Sequence, residues 1–195
     1  MQRLLIGFVV FVLIAQMPVS FANNFDDAMQ AASVGDYKKA YQLFLAKAEQ
    51  DSADAQTNIG LMYGDGLGVP QNDKEAVKWY RMAAEQGEKR AQYYLGNMFA
   101  EGLGVPQDFK DAARNYRLAA MQGHVRAQYR LGLLYLKGQG VVQSSERAYA
   151  WWSVAASKGH EEAQKYKDSA EQQMTSKQTE TGQEIAKQIW LELEN

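Results

Sequence analysis

The sequence predicts an all-α protein, an α-solenoid built from helix–loop–helix repeats with a period of 36 residues. The first observation is an Ala-Gln pair that recurs at this spacing, at Ala55, Ala91, Ala127 and Ala163. The second is a helical spacing of apolar residues, and the third is a set of glycines in three registers. A fixed period of this length is typical of stacked copies of one small unit. The repeated glycines are Gly60, Gly96 and Gly132; Gly66, Gly68, Gly102, Gly104, Gly138 and Gly140; and Gly87, Gly123 and Gly159.

The middle unit, residues 88–123, shows how each element is predicted. Its glycine loop at 102–106 ends a first helix, because glycine accepts positive φ and the proline at its end cannot continue a helix. Asp108 is the expected N-cap of a second helix, which ends at Gly123. The first helix is indicated by three apolar residues on one face, at Ala91, Leu95 and Phe99.

The same reading divides the whole chain into three full units with imperfect ends. Asp51 stands where the other units have a turn glycine, and Thr175 with Gln178 predicts a capping box for a last helix. That helix is expected to fold back on the last unit; a detached tail that docks elsewhere is the alternative. The predicted segments are a degenerate N-terminal capping repeat at 23–52, repeats at 53–87, 88–123 and 124–159, a C-terminal capping helix at 160–174 and a terminal amphipathic helix at 175–195.

Small and large residues recur together, which predicts how the units pack. The glycines in the first helices are expected to let helix backbones approach closely. Aromatic residues are expected to fill the gaps between neighbouring units. These aromatic residues are Tyr63, Phe99 and Tyr135 on the first helices and Tyr80, Tyr116 and Trp152 on the second.

Residues 1–22 are predicted to be a secretory signal peptide. Arg3 precedes an apolar run at 4–15, and Ser20 and Ala22 form a small-x-small cleavage site. The run is shorter than the roughly 20 residues of a spanning helix. We therefore expect cleavage after Ala22 and export, to a bacterial periplasm, with no membrane insertion afterwards. An uncleaved anchor is the alternative.

Composition and motifs argue against catalysis and nucleic-acid binding. Without residues 1–22, 20 basic and 23 acidic residues remain, a net charge of −3, whereas nucleic acid favours a basic face. The chain has no cysteine, so it has neither disulfides nor a cysteine nucleophile. The glycine loops lack the Gly-Lys-Ser/Thr of a phosphate loop. His124 and His160 are interpreted as turn residues, because two histidines without a third ligand make a weak metal site. We expect no enzyme activity, cofactor or metal.

The repeated pattern Ala-Gln-x-x-Leu-Gly, then Gly-x-Gly-Val and a late Ala-Ala-x-x-Gly, resembles the Sel-one-like repeat family, a relative of the tetratricopeptide repeat. The resemblance covers residues 53–159 and implies a right-handed superhelix. Val142 replaces the proline of the other units, and Asn115 stands where they have Trp79 and Trp151. Members known as penicillin-hydrolysing enzymes are cysteine-rich, so the resemblance does not favour that activity here.

The resemblance also implies that the first helices line a concave groove. A protein or peptide is the expected occupant, and the protein is expected to be a monomeric scaffold of the bacterial cell envelope. A periplasmic regulator that inhibits a membrane sensor, or a cell-wall or β-lactam hydrolase, are the alternatives. Tyrosine and arginine are typical of binding hot spots. The candidate binding residues are Asp54, Thr57, Asn58, Leu61, Arg90, Tyr93, Tyr94, Asn97, Arg126, Tyr129, Arg130 and Leu133.

Overall fold

The computed structural model describes residues 25–194, and this part of the chain contains ten α-helices and no β-strand. None of these helices combines the length and apolarity needed to cross a membrane. The predicted signal peptide lies outside the described residues. The helices are α1 (Phe25–Ser33), α2 (Tyr37–Ala48), α3 (Ala53–Asp65), α4 (Asp73–Glu85), α5 (Lys89–Glu101), α6 (Phe109–Met121), α7 (Val125–Lys137), α8 (Ser145–Ser157), α9 (Glu161–Gln173) and α10 (Ser176–Glu194).

The helices pack in the order in which they follow along the chain. From α1 to α9, each helix lies against the next, and the pairs α3–α4, α5–α6 and α7–α8 are the three full units. The last helix departs from this order, because α10 packs along α8. Contacts restricted to neighbours are the mark of a solenoid, so the predicted all-α solenoid is confirmed.

Local signals at the helix ends match the repeat. Each first helix of a full unit ends at a glycine in the left-handed conformation. In the turn after α2, Asp51 stands where the full units have Gly87, Gly123 and Gly159, and it also has a positive φ, of 62°. Thr175 and Gln178 form a reciprocal capping box, in which the Thr175 backbone N–H donates to Gln178 Oε1 at 3.1 Å. The second helices begin at the N-caps Asn72, Asp108 and Ser144, whose side chains accept backbone N–H groups of the first turn.

The glycine in the middle of each first helix makes room for an aromatic ring. A Cβ atom on Gly96 would lie 2.6 Å from Cδ1 of Tyr116, and one on Gly60 would lie 2.5 Å from Cε1 of Tyr80. In the third unit the ring is the indole of Trp152. The repeat pattern predicts close helix backbones here and rings between units; each ring lies on the glycine of its own helix pair, and Tyr80 also stacks on Tyr94 of the next unit at 5.3 Å between ring centroids.

The second glycine of each loop touches the preceding unit. A Cβ on Gly104 would collide with the backbone carbonyl of Asp73, the first residue of α4, and would lie 2.8 Å from the backbone nitrogen of Lys74. Gly68 and Gly140 make the equivalent contacts with Tyr37 and Phe109. The loop backbone of one unit therefore rests directly on the start of the second helix before it.

Buried glutamines link the helices in a way that changes in the last unit. Gln92 Nε2 donates to the Ala84 carbonyl at 3.4 Å, and Gln92 Oε1 accepts from Gln122 Nε2 at 2.8 Å. We call this arrangement the glutamine chain, and the first unit repeats it through Gln56. In the third unit Gln128 still donates to a backbone carbonyl, but its Oε1 has no donor within the described residues. The residue at the donor position there is Lys158, which lies 5.8 Å from the ring centroid of Trp190 in α10.

We predict that replacing Gly104 with alanine costs more stability than replacing Gly87. Both glycines have positive φ, 68° and 88°, but the space around Gly87 is open. Gly87→Ala should therefore cost only the left-handed strain of about 1–2 kcal/mol. Gly104→Ala should exceed this value because the loop must also move off α4. Urea unfolding of both variants measures the difference, and equal losses would contradict the backbone contact.

A second prediction concerns the glutamine chain. Gln122→Glu keeps the side-chain shape but removes the donor to Gln92 Oε1, which leaves a buried oxygen unpaired. We expect a loss of about 1–3 kcal/mol in the free energy of unfolding. Gln50 holds the equivalent position in the N-terminal unit and is exposed, so Gln50→Glu is the matched control and should be close to neutral. Similar losses in both variants would show that the added charge, not the bond, is responsible.

Candidate protein-binding face

The first helices of the three units, α3, α5 and α7, position the twelve candidate residues. Within each helix the four candidates fall at positions i, i+3, i+4 and i+7, which puts them on one stripe. The structure grades them by exposure. Asp54 and Arg126 are exposed; Leu61, Arg90, Tyr94, Asn97, Tyr129, Arg130 and Leu133 are half-buried; and Thr57, Asn58 and Tyr93 are buried.

One predicted surface column turns out to form contacts between units. Thr57, Tyr93 and Tyr129 are expected to line the binding face, with partial packing of Tyr93 or Tyr94 between units as the alternative; in the structure Thr57 and Tyr93 are buried. Each residue of the column contacts the residue that caps the first helix of the following unit. When the first-helix residue changes from threonine to tyrosine, its capping partner changes from glutamate to histidine, so packing explains the variation at this position. The pairs are Thr57 with Glu88, joined by a 2.9 Å hydrogen bond, Tyr93 with His124, stacked at 4.6 Å between ring centroids, and Tyr129 with His160, stacked at 4.7 Å.

The two histidines act as helix caps. His124 Nδ1 accepts the backbone N–H of Ala127 at 3.2 Å, and His160 Nδ1 accepts that of Ala163 at 3.3 Å. Burial lowers the pKa of His124, which favours the neutral ring that this acceptor role requires. Across residues 25–194, no three His, Cys, Asp or Glu side chains come together in a way that could hold a metal ion.

The half-buried candidates are held by neighbouring side chains. Arg90 Nη2 donates to Asn58 Oδ1 at 3.4 Å, and Asn97 Oδ1 accepts from the hydroxyl of Tyr116 at 2.7 Å. Tyr94 is stacked on a ring of the preceding unit at a centroid distance of 5.3 Å. Side chains that are already ordered lose little conformational entropy when they bind. The face therefore presents a preorganised set of polar and aromatic groups.

A cleft of about 230 Å³ lies on this face between α5, α6 and α7. Arg130 and Leu133 line it, together with Glu101 and Lys137, which the sequence reasoning did not select. Each of these two residues lies four positions after a candidate, so a further turn of the same stripe contains them. The stripe is thus one helical turn longer than predicted, and its additional residues are the acidic Glu101 and the basic Lys137.

Comparisons with known proteins agree with this architecture. The sequence profile of the Sel1 repeat matches residues 53–88, 89–124 and 125–160, which together are more than half of the chain. A comparison with curated proteins gives no match. Sel1 repeat proteins are generally non-catalytic protein-interaction scaffolds.

Two similar solved structures are bacterial. One is c5321, a protective antigen present in uropathogenic Escherichia coli strains displaying an SLR fold, with 32% identity and a TM-score of 0.80 over 88% of this chain. The other is a Sel1 repeat protein from Oxalobacter formigenes, with 33% identity and a TM-score of 0.69 over 73% of this chain. The chain spans only 38% and 57% of the lengths of these two proteins. With three matching repeats and these relatives, the chain belongs to the Sel1 repeat family.

Proposed function

We propose that the protein is a non-catalytic scaffold of the bacterial cell envelope, and that it binds a protein or peptide on the face formed by α3, α5 and α7. The observation that supports this role most directly is the preorganised stripe of arginine, tyrosine and asparagine side chains on that face. Arginine and tyrosine are enriched among the residues that dominate binding energy. In this proposal the face of α3, α5 and α7 is the concave groove that the resemblance to tetratricopeptide repeats implies.

The charges of the face favour a partner segment of a particular kind. Arg90, Arg126, Arg130 and Lys137 lie along α5 and α7, whose one acidic residue, Glu101, lines the cleft; the exposed Asp54 adds a negative charge on α3. Basic residues attract acidic segments and orient them during encounter. An extended peptide with carboxylates spaced between apolar residues fits this pattern. The net charge of −3 after removal of residues 1–22 argues against nucleic acid as the partner.

We expect that reversing two charges of the face weakens partner binding by about tenfold or more. The test variant is Arg90→Glu with Arg126→Glu, and the matched control is Lys74→Glu with Lys110→Glu, two exposed residues of the second helices. A partner is first captured by crosslinking in envelope extracts. Calorimetry with the purified partner then gives the Kd of each variant, with circular dichroism to check helicity.

The control variant should bind within about twofold of the native protein, because rim charges away from a contact change affinity little. If the two double variants weaken binding equally, net charge and not this face determines the affinity. If neither weakens binding, the partner lies elsewhere on the array.

The proposed location has its own test. A signal peptide cleaved after Ala22 leaves a mature chain that begins at Asn23. Intact-mass measurement of the protein purified from the periplasmic fraction should give the mass of residues 23–195 as a monomer in native conditions. Recovery of the full-length chain from the membrane fraction would contradict cleavage and favour the anchor.

A further inference from the structure

A second and larger cleft lies outside the face formed by α3, α5 and α7, between the second helices α4 and α6, with α5 as its floor. Its volume is about 520 Å³. Leu95 and Phe99 of α5 form the apolar floor, and Leu118 of α6 forms part of a wall. Arg81 and Arg114 stand at the rim with the acidic residues Glu85 and Asp111.

The repeat register explains why the cleft is open in this unit. Asn115 lines it, and the residues 36 positions before and after are Trp79 and Trp151. Trp151 is only 5% exposed and belongs to the same apolar cluster as Leu131 and Tyr135, the counterparts of the floor residues here. Trp79 packs against the cluster that contains Ile59, the counterpart of Leu95 in the first unit. In both neighbouring units an indole thus belongs to the apolar cluster that contains the counterparts of this floor, whereas the middle unit has Asn115 at that position.

Asn115 does not replace that indole. Its Nδ2 turns back along its own helix and donates to the backbone carbonyl of Asp111 at 2.9 Å. Leu118 in the wall is 46% exposed, whereas its counterpart in the third unit, Val154, is completely buried. Met82, the counterpart of Leu118 in the first unit, is 41% exposed, so this wall residue is buried only in the third unit; Leu95 and Phe99 in the floor are 5% and 8% exposed.

We propose that this cleft binds the side chain of a tryptophan from a partner protein. The other two units place an indole in the apolar cluster of the equivalent residues, so the floor offers the kind of surface on which the repeat packs an indole. The rim carries two basic and two acidic residues, so the shape of the floor and not the sign of the charge selects the ligand. Arg81 already lies over the ring of Phe99, at 5.4 Å from its centroid, and guanidinium groups also stack on indoles. Tryptophan is the residue most typical of binding hot spots.

This site does not depend on the proposed groove, because its lining residues lie on α4, α6 and the side of α5 turned toward them. A partner could use either site alone. Loss of binding at one of them therefore leaves the other hypothesis standing.

The experiment uses the mature chain labelled with ¹⁵N and the probe N-acetyl-tryptophanamide. Titration should give saturable chemical-shift changes at the side-chain amides of Asn115 and Gln92, both of which line the cleft. N-acetyl-leucinamide at the same concentrations should leave these signals in place. Absence of saturable changes with the tryptophan probe, or equal changes with both probes, would overturn the proposal.

Asn115→Trp supplies the indole from within the chain. We expect at least a tenfold weaker response to the probe and a rise in Tm of about 2–5 °C, because the new ring fills the cleft. Lys110→Trp, on the same helix at an exposed position, is the matched control and should leave both the titration and the Tm unchanged. If Asn115→Trp fails to fold, Asn115→Phe fills part of the cleft and should weaken the response in the same direction.

Two further results would overturn the assignment. An unchanged titration in folded Asn115→Trp would mean that the probe binds elsewhere. A native protein that self-associates in sedimentation, and becomes monomeric only in Asn115→Trp, would mean that a second copy of this chain fills the cleft instead of a different protein.

Discussion

The spacing between units depends on one backbone contact, between the second loop glycine of each unit and the start of the second helix before it. At Gly104 this contact is so close to Asp73 that no side chain fits between them. Because backbone meets backbone, the distance does not vary with the side chains around it. The other repeated contacts follow from this fixed distance: the rings settle on the glycines of their own helix pairs, and Gln92 reaches the carbonyl of Ala84 in the preceding unit.

The structure separates two kinds of repeated position. Contacts within a unit use similar residues in every copy, as in the rings packed on the first-helix glycines. Contacts between units tolerate change when both partners change, as Thr57 with Glu88 and Tyr93 with His124 show. A repeat position that varies from unit to unit is therefore a candidate for binding only if the residue that it contacts in the next unit does not vary with it. On that criterion the exposed Arg126 and the half-buried Arg90 are better binding candidates than Tyr93.

Sequence periodicity predicted the helices, their caps and the solenoid because each depends on residues close together in the chain. It could not place Thr57 and Tyr93, since their partners lie 31 residues ahead, out of step with the 36-residue period. The sequence shows that Asn115 departs from the repeat, which has tryptophan at this position in the other units. The sequence does not show the cleft that results, because the cleft forms only where residues of α5 and α4 come together in space.

The glutamine chain is interrupted in the third unit, so the two ends of the array differ in stability. In the first two units a hydrogen-bonded glutamine joins the closing turn to the first helix. In the third unit Lys158 lies near Trp190 instead, and Gln128 Oε1 has no donor among residues 25–194. In a linear array, local opening begins where the interfaces are weakest. Fraying should therefore start at the third unit whenever α10 lifts away, and amide hydrogens of α7 and α8 should then exchange before those of α5 and α6. The terminal helix α10 therefore stabilises the third unit, which is the weaker end of the array.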